Sequence, residues 1–471
     1  MIDIRESDEV AQFARAEMAH AKLGDRRLDA RLGKIVSSFA ARPDASIPSA
    51  CCNWAGAKGA YRFFGNKRVT PEKILEPHVE QAIERSREHD LVLAIGDTTY
   101  LDFSQRKEME GIGPLTGRKT TGLGLVVHST ILASASGIPL GVADNRVWAR
   151  DEEGYGKGPE RCRELPIEQK ESSKWLRSLE VASDIQERVG SKTKIVATFD
   201  REGDIYSVLG AARDRFDVDL LIRAQHPRKI KEDPEGRALW SFVESNKVGE
   251  IEISVPRGKG KKSRVAVLAL YASPVTLQSP PKRPKGENDY GPIEVFAIHA
   301  KEITPDRKSD LISWRLLTTL PIDSLEDSLR AVELYSRRWL IEQHFRVLKS
   351  GCKIEERQFE EADRLANCLA ADSIVAWMVL YLTIVGRKTP DLPCTVIFEE
   401  CEWKAVWVYV NQKPDPPETP PSLGEFVALV GRLGGHLGRK GDGYPGSETL
   451  WKGLRRVPDL AGMWLVMRNI G

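Results

Sequence analysis

Between residues 91 and 224, apolar runs and amphipathic stretches alternate in an order that suits a mixed sheet flanked by helices. LVLAI (91–95), GLVVHSTILA (124–133) and PLGVADNRVWA (139–149) read as strands. A helix is expected around 172–189, then the strand KIVATF (194–199), a helix from about 204 to 214 and the strand DLLIRA (219–224). The fold class is therefore α/β.

From about 230 to 320 the texture changes. IEISVP, SRVAVLALYA, PIEVFAIHA and SWRLLTTL are strand-like and separated by turns rich in Pro, Gly and Lys, which predicts an antiparallel β insertion. The tip RGKGKKSR (257–264) either reaches phosphates or is a solvated hairpin end. Residues 1–70 read as a small helical unit, 71–375 as the mixed-sheet domain with its insertion, and 376–471 as a helical C-terminal region behind Pro-rich spacers such as KPDPPETPPS.

In the N-terminal unit, Leu28, Leu32, Ile35 and Phe39 mark one helix face while Arg27, Arg31 and Lys34 mark another. The segment AKGAYRFFGNKR mixes Lys58, Arg62, Lys67 and Arg68 with Tyr61, Phe63 and Phe64. Such interleaving suits phosphate contact with stacking; a small core edged by snorkelling cations is the equal alternative.

The 471 residues, 41% hydrophobic and 29% charged, are those of a globular protein. A formal net charge of +2 means that any nucleic-acid binding must come from local clusters. Seven Cys, with the pair Cys51–Cys52 but no C-x-x-C, argue for reduced thiols in the cytoplasm and against a zinc knuckle. The polar start MIDIRESDEV carries no secretory signal. The longest apolar run, Ser373 to Val385, is too short for a bilayer and predicts a buried helix, so no membrane partner is expected.

The segment YSRRWLIEQHFRVLK (335–349) carries chemistry. On a continuous helix Tyr335, Arg338, Glu342, Arg346 and Lys349 fall within an arc of roughly 80°. One carboxylate ringed by three cations and a phenol suits an anion held with a metal ion. An ordinary amphipathic helix with a basic rim is the competing reading. Leu325, Leu329, Val332, Trp339, Ile341, Phe345 and Leu348 form its apolar side, and Ser324 with Asp327 is the expected cap.

Two further carboxylates follow apolar strands: Asp97 after LVLAIG and Asp200 after KIVATF. Either could be a turn former, but strand ends are where α/β sheets hold ligands. Three gathered carboxylates supply hard oxygen ligands for two Mg2+ ions, with Mn2+ as a substitute, and two such ions about 4 Å apart can break a phosphodiester. Asp97 is expected to bridge the pair, with Asp200 and Glu342 each completing one site. The eight His show no metal-ligand spacing; His128 is expected in the core and His344 points away from Glu342.

The triad Asp97, Asp200, Glu342, with Tyr335, Arg338 and Lys349 spaced Y-(2)-R-(3)-E-(6)-K, resembles the DDE transposases of bacterial insertion sequences, specifically the insertion sequence four group. The words GAYRF, LAI-x-DTT, KES-x-KW, DRE-x-DI, HPRK, YSRRW-x-IE and RLGG follow in the same order along nearly the whole chain. The resemblance implies an RNase H-like core, an N-terminal domain for double-stranded transposon ends, and a C-terminal dimerisation region. It implies cut-and-paste transposition through a DNA hairpin, performed by a synaptic homodimer that joins 3′ ends to target DNA.

Carried over by position, Tyr335, Arg338 and Lys349 would meet phosphates near the cut, and Trp314 would stack on a flipped base. Arg223, His226 and Arg228 would meet the hairpin or flanking backbone; Arg62, Arg27 and Arg31 would meet the end sequence. Arg346 stands where the family has Lys, which keeps charge but changes fork geometry. Rivals are a junction resolvase of the same core, against which the Y-R-E-K helix and long insertion argue, and a domesticated or inhibitory DNA-binding form.

Overall fold

The computed structural model describes residues 10–106, 108–115, 122–151, 164–233, 239–255, 264–304, 311–439 and 442–470. The tip at 257–263 lies outside the described residues, so its two readings are untouched.

The first helices are α1 (Val10–Glu17), α2 (Arg26–Ala41), α3 (Ile47–Ala50), α4 (Trp54–Phe64) and α5 (Pro71–Ser86). Short polar side chains start four of them: Asp25 accepts from the Arg27 amide, Ser46 from Ser49, Asn53 from Gly56 and Thr70 from Lys73. Leu32, Ile35, Val36 and Phe39 bury the inner face of α2 while Arg27 and Lys34 stay outside, so the face expected from the sequence is found.

The strands are β1 (Leu91–Asp102), β2 (Gly113–Pro114), β3 (Leu123–Ser134), β4 (Pro139–Trp148), β5 (Lys194–Phe199), β6 (Asp219–Arg223), β7 (Lys247–Val255), β8 (Arg264–Leu277), β9 (Ile293–Glu302) and β10 (Ser313–Thr318). They form one sheet in the order β2-β3-β1-β5-β6-β10-β9-β8-β7, with β4 on β3. β1, β5 and β6 run parallel; β3 is antiparallel to β1. Helices α6 (Ser173–Val189) and α7 (Tyr206–Ala211) follow β4 and β5, and α8 (Leu239–Val243) precedes β7. Leu91–Gly96 and Ile195–Phe199 are buried throughout, which is why these central strands read as unbroken apolar runs.

The insertion is antiparallel, as expected, but it is no separate sheet. β10 pairs with β6 through Leu316↔Arg223 and Leu317↔Ile222, so β7–β10 extend the central sheet.

The remaining helices are α9 (Leu325–Ser336), α10 (Trp339–Arg346), α11 (Ala362–Lys388), α12 (Glu400–Asn411), α13 (Leu423–Leu433), α14 (Ser447–Leu454) and α15 (Val457–Ile470). The 13-residue apolar run expands into the 27-residue α11, long enough to cross a membrane by length and composition, yet 94% of its apolar window is buried. It is the central post of the helical layer. Inside it Asp372, fully buried, takes a fork from Arg357 at 2.9 and 2.7 Å; that guanidinium also donates to the Ala45 carbonyl and lies 4.6 Å above Phe39. The α2 region is thereby tied to α11. Arg42–Asp459 (2.6 Å) and Arg455–Asp44 (2.9 Å) join the first helices to the last.

Candidate active site

Asp97 does not end its strand, contrary to the expectation from LVLAIG: β1 continues to Asp102, paired with β3 throughout. What ends is the parallel partner. β1 and β5 pair as far as Ile95↔Thr198, and two residues further that register sets Asp97 beside Asp200, where β5 has turned into a short 3-10 turn. Both acids therefore stand at the mouth of the parallel ladder.

Backbone amides fix one oxygen of each. Thr98 N–H donates to Asp97 Oδ1 at 2.7 Å, and Glu202 N–H to Asp200 Oδ1 at 2.8 Å. Asp97 Oδ2 instead receives Arg338 Nη1 at 2.9 Å, and Nη2 of the same guanidinium pairs with Glu342. One fork thus joins two acids 245 positions apart in sequence. Burial pushes the Asp97 carboxyl up to about 6; the charges of Asp200 and Glu342 act in the same direction, against the Thr98 amide and Arg338. Burial also raises Asp200, opposed by the Glu202 amide and by the charges of Arg338 and Lys174.

Arg338 and Glu342 meet because they lie four positions apart, one turn along the chain. The expected continuous helix is two, α9 and α10, with a turn at Arg337–Arg338, and then a π-turn over Val347–Gly351. Ser324 caps α9 as expected, its Oγ accepting from Asp327 N–H at 3.1 Å. Trp339, expected on the apolar side, is 59% exposed. Arg346 turns from the carboxylates to Ser447 Oγ on α14, 3.2 Å away, while Lys349 reaches the Tyr100 carbonyl on β1 at 2.5 Å.

Tyr335 is buried, its hydroxyl faces the guanidinium groups of Arg338 and Arg223, and its ring meets Trp314 edge-on at 5.7 Å. Burial raises the phenol, with Arg338 and Arg223 pulling the other way. Arg223 donates to the Ser313 carbonyl at 3.3 Å, so Tyr335, Trp314, Arg223 and Arg338 share one wall. Arg228 does not face it: its guanidinium pairs with the fully buried Asp204, which also accepts the Gln225 and His226 amides at 2.7 and 2.9 Å. The His226 side chain is exposed beside it. Arg27, Arg31 and Arg62 lie on the N-terminal helices α2 and α4. Arg31 lies across Gly59, where a Cβ would come within 2.6 Å of its guanidinium.

His128 is buried between Thr98 Oγ1 (2.9 Å) and Ser178 Oγ (2.8 Å), and burial holds it down to about 3, hence neutral; it is core, as expected. His344 is fully buried too. The residue that sequence reasoning passed over is Lys174. It is 4% exposed, and its Nζ lies 3.0 Å from Glu202 Oε2. Its signal was present in the word KES-x-KW. Gly96 makes room for its helix, since a Cβ there would come within 2.9 Å of Ser178 on α6.

Among the described residues no three Asp, Glu, His or Cys side chains lie close enough to form a ready-made metal cluster. Arg338 is the wedge. Its guanidinium holds the place of counter-charge between Asp97 and Glu342. The donor set nonetheless suits a hard divalent cation: three carboxylates, two with one oxygen already anchored and all in one charge-coupled group.

Residues 66–376 match a family model described as transposase DDE domain. Residues 10–69 match one described as transposase DNA-binding, and residues 374–462 one described as transposase Tn5 dimerisation domain.

Proposed function

This chain belongs to the DDE transposase family, with DNA-binding and dimerisation domains on either side of its catalytic domain, and we propose that it is a cut-and-paste enzyme of the insertion sequence four group. The domains would divide near residues 70 and 375. The observation that carries this reading is the fork of Arg338 across Asp97 and Glu342, beside an Asp200 brought level with Asp97 by the β1–β5 register.

Asp97, Asp200 and Glu342 would hold two Mg2+ ions, or Mn2+ in their place, Asp97 being shared. When bound, such ions activate a water or 3′-hydroxyl on one side of the phosphodiester and stabilise the leaving oxygen on the other. The chain's own groups do the rest. The Thr98 and Glu202 amides anchor one oxygen of each aspartate, so that Asp97 Oδ2, once Arg338 lets go, and the second Asp200 oxygen would be left for the ions. Arg338, once released from its acids, is placed to turn its fork to a phosphate oxygen. Lys349 would neutralise the backbone next to the cut, and Trp314, beside Tyr335, offers a ring face to an unpaired base at a hairpin turn. Arg223 and His226 line the approach. Arg27, Arg31 and Arg62 would meet the end repeat, and a homodimer would pair two ends before joining them to target DNA.

The test incubates full-length protein with linear DNA carrying candidate terminal repeats, with Mg2+. Hairpin-ended donor products are expected from the native protein and none from Asp97→Ala, which still binds. Cleavage by Asp97→Ala would refute the catalytic assignment. Binding without cleavage in Mg2+ or Mn2+ would favour the inhibitory DNA-binding form.

A further inference from the structure

Lys174 is an ammonium taken out of water at the floor of the carboxylate group. It sits in the first turn of α6, 4% exposed, with its charge felt at Asp200 and at Glu171 and an ion pair at Glu202, whose carboxylate is 60% exposed. The Glu202 amide holds Asp200 Oδ1, so the Lys174–Glu202 pair and the Asp200 carboxylate belong to one tight turn. Gly96 lets α6 come this close behind β1. Burying a lysine is costly, and packing alone gives no reason for it when a Leu or Met would fill the space. A solvent-facing partner compensates it only in part, because Glu202 keeps most of its hydration.

The site thus has two cations with different surroundings. Arg338 is forked to Asp97 and Glu342 from α10 and can swing away on its long side chain. Lys174 is walled in over the Trp175 ring, 5.4 Å from its centre, and cannot leave.

We infer that Lys174 is a positioning residue whose immovable charge weakens the hold of the Asp200 side on a divalent cation until a DNA phosphate adds compensating negative charge. This rests on the metal-dependent reading above. It goes beyond it by assigning a control on when the second ion loads. A cation near Lys174 is repelled; a phosphate drawn into the same space cancels that repulsion, so full loading follows DNA rather than preceding it.

The experiment measures binding of Mn2+, the probe ion, to the full-length protein without DNA at pH 8, by electron paramagnetic resonance of free Mn2+. Lys174→Met is expected to tighten the weaker of two binding steps by about tenfold, as loss of one nearby positive charge predicts, with Lys174→Arg close to native. Glu202→Gln, which leaves the ammonium uncompensated, is expected to weaken it. A role in packing or tethering alone would loosen binding in Lys174→Met and Glu202→Gln alike, and that result overturns the inference, as does unchanged binding. If Lys174→Met does not fold, judged by its melting curve, Lys174→Gln carries the same prediction. Should the native protein bind no Mn2+ at millimolar concentration even with DNA present, the metal-dependent reading itself fails, a separate outcome from equal binding by native and Lys174→Met proteins.

Discussion

Arg228 and Asp204 form an ion pair sealed inside the loop that follows β6, with the carboxylate fully buried and also holding the Gln225 and His226 amides. A cation placed there organises backbone before it can meet DNA. Arg228→Ala should therefore act chiefly on stability, by about 3–5 kcal/mol for a broken buried pair. Urea denaturation checks this; a full native midpoint with weakened DNA binding would instead return Arg228 to the contact surface.

Asp97 gives a pH signature. Its folded-state value near 6 lies above the ordinary carboxylate value of 3.8, so the folded protein holds this proton more tightly than the unfolded chain. Its favourable contribution is present below about pH 4 and is lost as pH rises through 6. Asp97→Asn, free of DNA and metal, should then be more stable than native at pH 8, by up to about 3 kcal/mol less the lost Arg338 contact, with the gain gone by pH 4. Melting temperatures across that range decide it.

Tyr335→Phe separates stability from catalysis. The hydroxyl lies buried against the Arg338 and Arg223 guanidinium groups, so its removal should change the stability of the free protein by no more than about 1 kcal/mol. If the hydroxyl finds a phosphate near the cut, cleavage should fall while thermal stability does not. Equal cleavage rates would confine Tyr335 to packing against Trp314.

Gly59→Ala tests the N-terminal basic face. The new methyl meets only the flexible end of Arg31, so the fold should survive, and α4 should gain about 1 kcal/mol of helix propensity. The displaced guanidinium should change affinity for the end repeat in a mobility-shift titration, with a smaller effect in an Arg31→Ala background.

The strands and helices of the mixed sheet were legible because central strands buried on both faces leave unbroken apolar runs, as in Val92–Ile95 and Ile195–Phe199. The site was legible as residue types: Asp97, Glu342 and Arg338 do meet, and Asp200 is coupled to them. What spacing could not give was the break at Arg337–Arg338. Spacing also does not fix where a side chain turns: Trp339 is exposed, and Arg346, one turn from Glu342 within α10, reaches Ser447 instead. Nor could composition separate a cation facing solvent from one buried against a carboxylate, as Lys174 and Arg228 show. That distinction depends on Asp204 and Glu202 lying opposite them in space.

The pairing of β10 with β6 has a consequence for anyone shortening this protein. Excising residues 230–320 would strip the neighbour from Leu221–Arg223 and leave a row of unsatisfied amides and carbonyls within reach of other copies. A trimmed variant would be prone to stack edge to edge into insoluble material, so the segment serves as a selvedge to the catalytic sheet whatever else it touches.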